Sequence, residues 1–238
     1  MSARLSVNIN KVALIRNARG SNLPDLVRVA LDCERFGAQG ITVHPRPDER
    51  HVRYGDIPLL KRAVTEEFNI EGNPNPRFLQ LVLANGPDQC TLVPDAPDAL
   101  TSDTGWDTFT KRDFLTDVIA ELKSAGIRTS IFLDPDPNMV EGAMRVGADR
   151  IELYTGEYAK RYHTDRNKAI EAFVETAEAA DAAGLGINAG HDLNLENLAF
   201  FQQKIPHLLE VSIGHAIIAD ALYYGLHNTI QMYLQKLS

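Results

Sequence analysis

Three histidines stand where short β-branched runs end: His44 after Gly40-Ile-Thr-Val, His191 after Gly186-Ile-Asn-Ala-Gly, and His215 after Val211-Ser-Ile-Gly. Histidine changes charge near neutral pH, so a pair of them can take and give protons within one reaction. Strand interiors are built from apolar side chains. A titratable ring at a strand exit, followed by a polar loop, is where an α/β protein places chemistry. The chemistry expected of this set is proton transfer on a small substrate, at the carboxyl end of a parallel sheet.

The other apolar runs deliver polar side chains at the same kind of exit. The first gives Asn8, Asn10 and Lys11, then Arg16 and Arg19. The second gives His44, Arg46, Arg50 and His51. The third ends in Glu71, the loop after the fourth carries Thr101, the sixth contains Glu152, and the seventh and eighth give Asn188, His191, Gly214 and His215. Each has a plainer explanation. A lone histidine is more often a surface or core residue than a catalyst. The arginines could pair with surface carboxylates at little gain, and Glu71 could face solvent. The shared position at strand exits is what directs His44, Glu71, Glu152 and His191 toward one cavity.

The types in this set are chemically consistent. Burial at the end of an apolar strand raises a carboxyl pKa, which would let Glu71 act as acid and base in turn. The guanidinium fork matches phosphate oxygens. The Gly-containing segments 188–191 and 213–216 suit phosphate held by backbone amides and a helix amino terminus. Two histidines and a glutamate could hold a metal in principle, but no H-x-H or H-E-x-x-H pair occurs, so none is expected. No G-x-S-x-G elbow is present. Lys11 is the only lysine at a strand exit, so Schiff-base chemistry is not expected.

The elements that must position these residues follow a repeated unit. An amphipathic segment ends in Gly, and a β-branched run follows, as in Phe36-Gly-Ala-Gln-Gly-Ile-Thr-Val-His44 and Val146-Gly-Ala-Asp-Arg-Ile-Glu-Leu-Tyr154. Gly ends a helix by taking the left-handed conformation, and repetition of the unit signals a parallel sheet. Strands are expected near 5–9, 41–44, 68–71, 90–93, 130–133, 151–154, 186–189 and 211–213. Eight strands close a (β/α)8 TIM barrel, here with extra helices and as one domain over residues 1–238. An open doubly wound sheet competes, but no Gly-rich dinucleotide fingerprint follows an early strand. Leu26, Ala30, Cys33 and Gly37 share a helical face. Asp136-Pro137 reads as a cap followed by Pro at the first helical position. A final helix over 217–237 carries Ile218, Leu222, Leu226, Ile230 and Leu234 in a stripe that packs on the barrel or builds a subunit contact. The loop over 95–106, with Thr101, is expected to close over substrate.

A net charge of −8 argues against a nucleic-acid surface, which needs excess Lys and Arg, but not against a small phosphorylated substrate. Cys33 and Cys90 are expected to be free buried thiols in a reducing compartment. Neither a secretory leader nor a stretch long and apolar enough to span a membrane is seen, so a cytoplasmic location is expected.

Five segments taken together carry a family resemblance. They are Asn8-Ile-Asn-Lys-Val-Ala-Leu-Ile-Arg-Asn-Ala-Arg-Gly20, Ile41-Thr-Val-His-Pro-Arg-Pro-Asp-Glu-Arg-His51, Asn69-Ile-Glu71, Asn188-Ala-Gly-His191 and Ile213-Gly-His-Ala-Ile-Ile218. In order and across the whole chain they resemble the pyridoxine 5′-phosphate synthase family. The resemblance implies a homo-octamer built from dimers and no metal or organic cofactor. It implies condensation of 1-deoxy-D-xylulose 5-phosphate with 3-amino-2-oxopropyl phosphate. It implies His44 and Glu71 as proton acceptors, His191 as proton donor and Glu152 as a further inward carboxylate. Asn8, Arg19, Gly214 and His215 would contact the aminoketone phosphate, and Arg46, His51 and Thr101 the deoxyxylulose phosphate.

Two departures stand out. The family's commonest first-strand motif is Asn-Ile-Asp-His, whereas Asn10 and Lys11 stand here, which alters how the sugar-phosphate hydroxyls are held. Asp192 follows His191 where Gly is more usual. Its backbone amide can still serve the substrate, but a carboxylate beside a phosphate is unfavourable unless it points away. Two other classes stay open. A single-substrate phosphosugar isomerase or aldolase could use the same groups. A non-catalytic binder of a phosphorylated ligand would not need three proton-transfer groups.

Overall fold

Each strand run alternates two kinds of residue, and a strand sends successive side chains to opposite faces. Arg4-Leu-Ser-Val-Asn8, Glu67-Phe-Asn-Ile-Glu71 and Arg150-Ile-Glu-Leu-Tyr154 show the pattern. In the computed structural model, which describes residues 2–96, 99 and 101–238, eight parallel strands close a barrel in sequence order. They are β1 (Arg4–Asn8), β2 (Gly40–Val43), β3 (Glu67–Gly72), β4 (Gln89–Leu92), β5 (Arg128–Leu133), β6 (Arg150–Tyr154), β7 (Gly186–His191) and β8 (Leu208–Ile213). β8 closes on β1 with Val211 beside Leu5.

The apolar set of the alternation, including Leu5, Val7, Ile41, Phe68, Ile70 and Ile151, is fully buried in the main core. The polar set fills the lumen instead. Ser6 and Thr42 hydroxyls lie 2.8 Å apart, Asn69 Nδ2 donates to Thr42 Oγ1 at 3.3 Å, and Thr91 Oγ1 donates to Asn69 Oδ1 at 3.1 Å. TIM-barrel interiors are usually packed with Val, Ile and Leu. Here many of the buried polar groups bond one another, although among the described residues Gln89 Nε2, Ser130 Oγ and Glu210 Oε2 have no partner. At the amino-terminal end of the lumen, Glu67 gathers Arg4 at 3.3 Å, Arg150 at 3.9 Å, and Arg128.

The described residues form ten α-helices and one short 3-10 helix, Tyr54–Asp56. The α-helices are α1 (Asn10–Asn17), α2 (Leu26–Arg35), α3 (Ile57–Ala63), α4 (Pro76–Asn85), α5 (Arg112–Ser124), α6 (Pro137–Arg145), α7 (Gly156–Ala182), α8 (Leu198–Lys204), α9 (His215–Tyr224) and α10 (Leu226–Leu237). Two helices join β1 to β2 and two follow β8, so the simple repeat carries extras. Asp136 caps α6 by accepting from Asn138 N, with Pro137 at the first position. Cys33 and Cys90 are free and buried.

Two expectations are corrected. The helix over 217–237 is broken at Gly225, whose φ of 75° and ψ of 149° lie outside any helix. Of its expected packing stripe, Ile230 is fully buried, whereas Leu222 stands 76% exposed. Most strands also begin earlier than their apolar runs, at Arg4, Glu67, Gln89, Arg128 and Arg150, because a polar lumen accepts charged residues inside strands.

Candidate active site

The mouth of the barrel is assembled from side chains that the strands bring to their carboxyl ends. Asn8 closes β1; its Nδ2 donates to Glu71 Oε1 at 2.6 Å, and its Oδ1 accepts from Asn10 N at 3.0 Å. Asn10 Oδ1 accepts in turn from His44 N at 2.9 Å, which ties the first strand exit to the second. Gly214, which caps α9, approaches Asn8 so closely that a Cβ would meet Asn8 O at 2.8 Å. These residues enclose a cavity of about 200 Å³, lined also by Lys11, Arg46, His51, Thr101, Ser102, His191, Asp192 and His215.

Electrostatics divides the two inner histidines. Burial, then the charges of Arg46, His51 and Arg50, hold His44 well below the usual histidine range, so it is neutral. His51 falls to about 4 through burial and the Lys11 charge. Burial alone would also lower His191. The hydrogen bond and charge of Asp192, with Glu71 and the Ser102 carbonyl, outweigh it, and the pKa is raised. Glu71 is raised chiefly by burial, against the pull of His191. Glu152 is raised further by burial and by Glu71. One ring held toward its neutral form and one held toward its charged form thus face a carboxyl shifted above its ordinary range, the pattern needed to move protons both ways.

The loop after β4 crosses the mouth. Arg46 Nη2 donates to Asp95 Oδ2 and Nη1 to Ala99 O, both at 2.8 Å. Ser102 Oγ donates to Asp95 Oδ2 at 2.6 Å, and His191 Nε2 lies 2.9 Å from Ser102 O. Trp106 anchors the far end, Nε1 donating to Leu92 O at 2.9 Å. Part of the segment expected to close over substrate, including Pro97, lies outside the described residues. Sequence reasoning passed over Ser102 and Asp95. Their neighbour Thr101 was the only signal, since a loop residue's partner across a barrel has no fixed spacing.

Several expected residues do not line the cavity. Arg19 is exposed after α1. Glu152 sits in the lumen, where its Oε2 accepts from Thr91 Oγ1 at 3.4 Å. Asn188 also faces the lumen, accepting from Arg150 at 3.2 Å. Arg16 plays a structural part, since both its terminal nitrogens donate to the Asp56 carboxylate at 2.8 Å. Among the described residues, no three His, Cys, Asp or Glu side chains are grouped to hold a metal ion.

Comparisons with known proteins bear on this mouth. Residues 5–238 match the model of a family described as pyridoxal phosphate biosynthesis protein PdxJ. A relative from Cytophaga hutchinsonii, named pyridoxine 5′-phosphate synthase, is 63% identical over 234 residues, 98% of each chain. One of the same name from Porphyromonas gingivalis is 58% identical over 235 residues, 99% of each chain. Among solved structures, phosphoribosyl anthranilate isomerase from Thermotoga maritima superposes with a TM-score of 0.61 at 11% identity, covering 99% of this chain and 98% of that one. That likeness shows the TIM-barrel fold alone.

Proposed function

The chain belongs to the PdxJ family, and from that premise we propose that its mouth carries out the pyridoxine 5′-phosphate synthase reaction. The reaction condenses 1-deoxy-D-xylulose 5-phosphate with 3-amino-2-oxopropyl phosphate, giving pyridoxine 5′-phosphate, phosphate and water. The observation that carries the reading is that His44, Glu71 and His191 line one cavity, with Asp192 2.9 Å from the His191 ring.

In this reading the amine attacks the sugar ketone while Glu71 and His44 take protons. His191 gives its proton to the departing hydroxyl, which leaves as water as the C=N bond forms. Phosphate loss and ring closure follow, and aromaticity drives the last steps. Glu152 backs Glu71 from the lumen. The protein's contribution is positioning and general acid–base work. Asn8, Gly214 and His215 hold the aminoketone phosphate at the amino end of α9, and Arg46, His51 and Thr101 hold the sugar phosphate. Asn10 and Lys11 face its hydroxyls. Asp192 N already donates to Thr155 Oγ1 at 3.2 Å, so a phosphate must compete for that amide. The Arg19 side chain is exposed and does not line the cavity. The loop over the mouth must open to admit substrate.

Among the described residues no helix is long and apolar enough to cross a membrane; a cytoplasmic location completes this reading. A homo-octamer of dimers is part of it too. Leu222 and Tyr223 on α9, 76% and 86% exposed, and Leu14 and Ile15 on α1 offer an apolar face for the contact.

The test supplies purified protein with each substrate alone and then both, following phosphate release and the pyridoxine chromophore. Both signals should appear only with both substrates. Turnover of one substrate alone would point to a phosphosugar isomerase or aldolase.

A further inference from the structure

His191 is held at both ring nitrogens. Nδ1 lies 2.9 Å from Asp192 Oδ2, and Nε2 lies 2.9 Å from Ser102 O. The Thr101 hydroxyl stands 3.3 Å from the same Nε2. A carboxylate and a carbonyl only accept hydrogen bonds. A neutral imidazole has one N–H, so one contact would set lone pair against lone pair. The imidazolium donates to both.

We propose that Asp192 is a positioning residue for the reaction assigned above: its carboxylate orients His191 and keeps it protonated, ready to act as the acid. The inference rests on that reaction. As the acid acts, the Nε2 proton passes to the departing hydroxyl, the C–O bond breaks and water leaves. Nδ1–H stays on Asp192, so the ring does not turn over. It is then a neutral base that regains its proton from a later C–H.

The surrounding charges are consistent. Glu71 of β3 faces His191 and favours its charge, while burial opposes it. His191 and His44 act on each other across the mouth. The rings of Tyr154 and Phe132, centred 5.7 and 6.3 Å away, bring no charge. Burial works against ionisation of Asp192, but the hydrogen bond and charge of His191, with Lys160 of α7 and His215 of α9, outweigh it and lower its pKa. His191 and Lys160 offset its charge beside an incoming phosphate.

The test compares the unchanged chain with Asp192→Asn, which keeps an acceptor oxygen but loses the charge, and Asp192→Gly. An opposite charge shifts a neighbour's titration by about 1–3 units. In Asp192→Asn the loss of kcat with rising pH should therefore begin about one unit lower. The rate should fall roughly tenfold at pH 8 and much less at pH 6, with KM little changed, since a unit of pKa is a factor of ten. The glycine variant should show the same shift. NMR titration of the His191 ring should report a raised pKa that drops in both variants. An unmoved pH profile, or a rise in KM at constant kcat, would overturn the proposal. Lack of turnover by the unchanged chain with both substrates would remove the reaction and the catalytic role together. An unshifted His191 titration would remove the Asp192 pairing on its own.

Discussion

Two histidines on opposite walls of one mouth are the same residue in opposite states. His44, on the β1–β2 wall, is buried and surrounded by Arg46, Arg50 and His51. His191, at the end of β7, is bonded to Asp192 and faces Glu71. Cations and burial make the first a base, and a carboxylate makes the second an acid. Position in the fold, not residue type, assigns the role.

The strongest blow to this comparison is removal of the carboxyl between the walls. Glu71→Gln should still bind both substrates by calorimetry yet lose turnover by about 10²–10⁴, the usual worth of a positioned acid–base group. A rate near the unchanged protein's would detach both histidines from the chemistry. His44→Asn should cost about 10²-fold in kcat. In the unchanged protein, the acid limb of kcat/KM should lie below the ordinary histidine pKa, because His44 stays neutral there. A limb at or above that value would contradict the cationic wall.

Arg46→Met tests the cause of that shift. It removes a cation beside His44 and leaves Asp95 without its Arg46 partner. His44 should titrate higher, the acid limb should move up, and KM for the sugar phosphate should rise about tenfold or more. A limb that stays in place would assign the shift to burial and the remaining neighbours His51 and Arg50.

The smallest effect on activity is expected at Glu210, which separates a raised pKa from catalysis. Its buried carboxyl is pushed up chiefly by burial, then by the charge of Glu67, at the opposite end of the lumen from the site. Glu210→Gln should leave kcat within about threefold. In the unchanged protein the unfolded chain ionises this group first as pH rises. The folded state then holds more protons, and stability falls from about pH 5 toward pH 8. The variant should lose part of that decline, and its melting temperature at pH 8 should be a few degrees higher. Equal slopes in the two proteins would mean that folding leaves the Glu210 pKa where it is in the unfolded chain.

Much of this was legible along the chain. The helix–Gly–strand repeat announced the barrel, and the apolar members of each alternation are the ones that pack against the helices. The strand starts were missed because Arg4, Glu67, Arg128 and Arg150 do not look like strand residues. They fit only once the interior is known to be polar and able to pair them. The break at Gly225 was missed because the apolar stripe runs straight through it.

By itself, the sequence determined the periodicities, and with them the parallel strands, the exits and the polar residues delivered there. These are local properties, set by backbone alternation and by glycine at helix ends. Only the tertiary structure decided that Arg46 lies against Asp95, that Ser102 reaches His191, that Glu152 sits below the cavity and Arg19 outside it, and that Asp192 turns its carboxylate to the imidazole. Those relations join residues far apart in the chain or depend on a side chain's direction. They also set the desolvation and nearby charge that make one histidine a base and the other an acid.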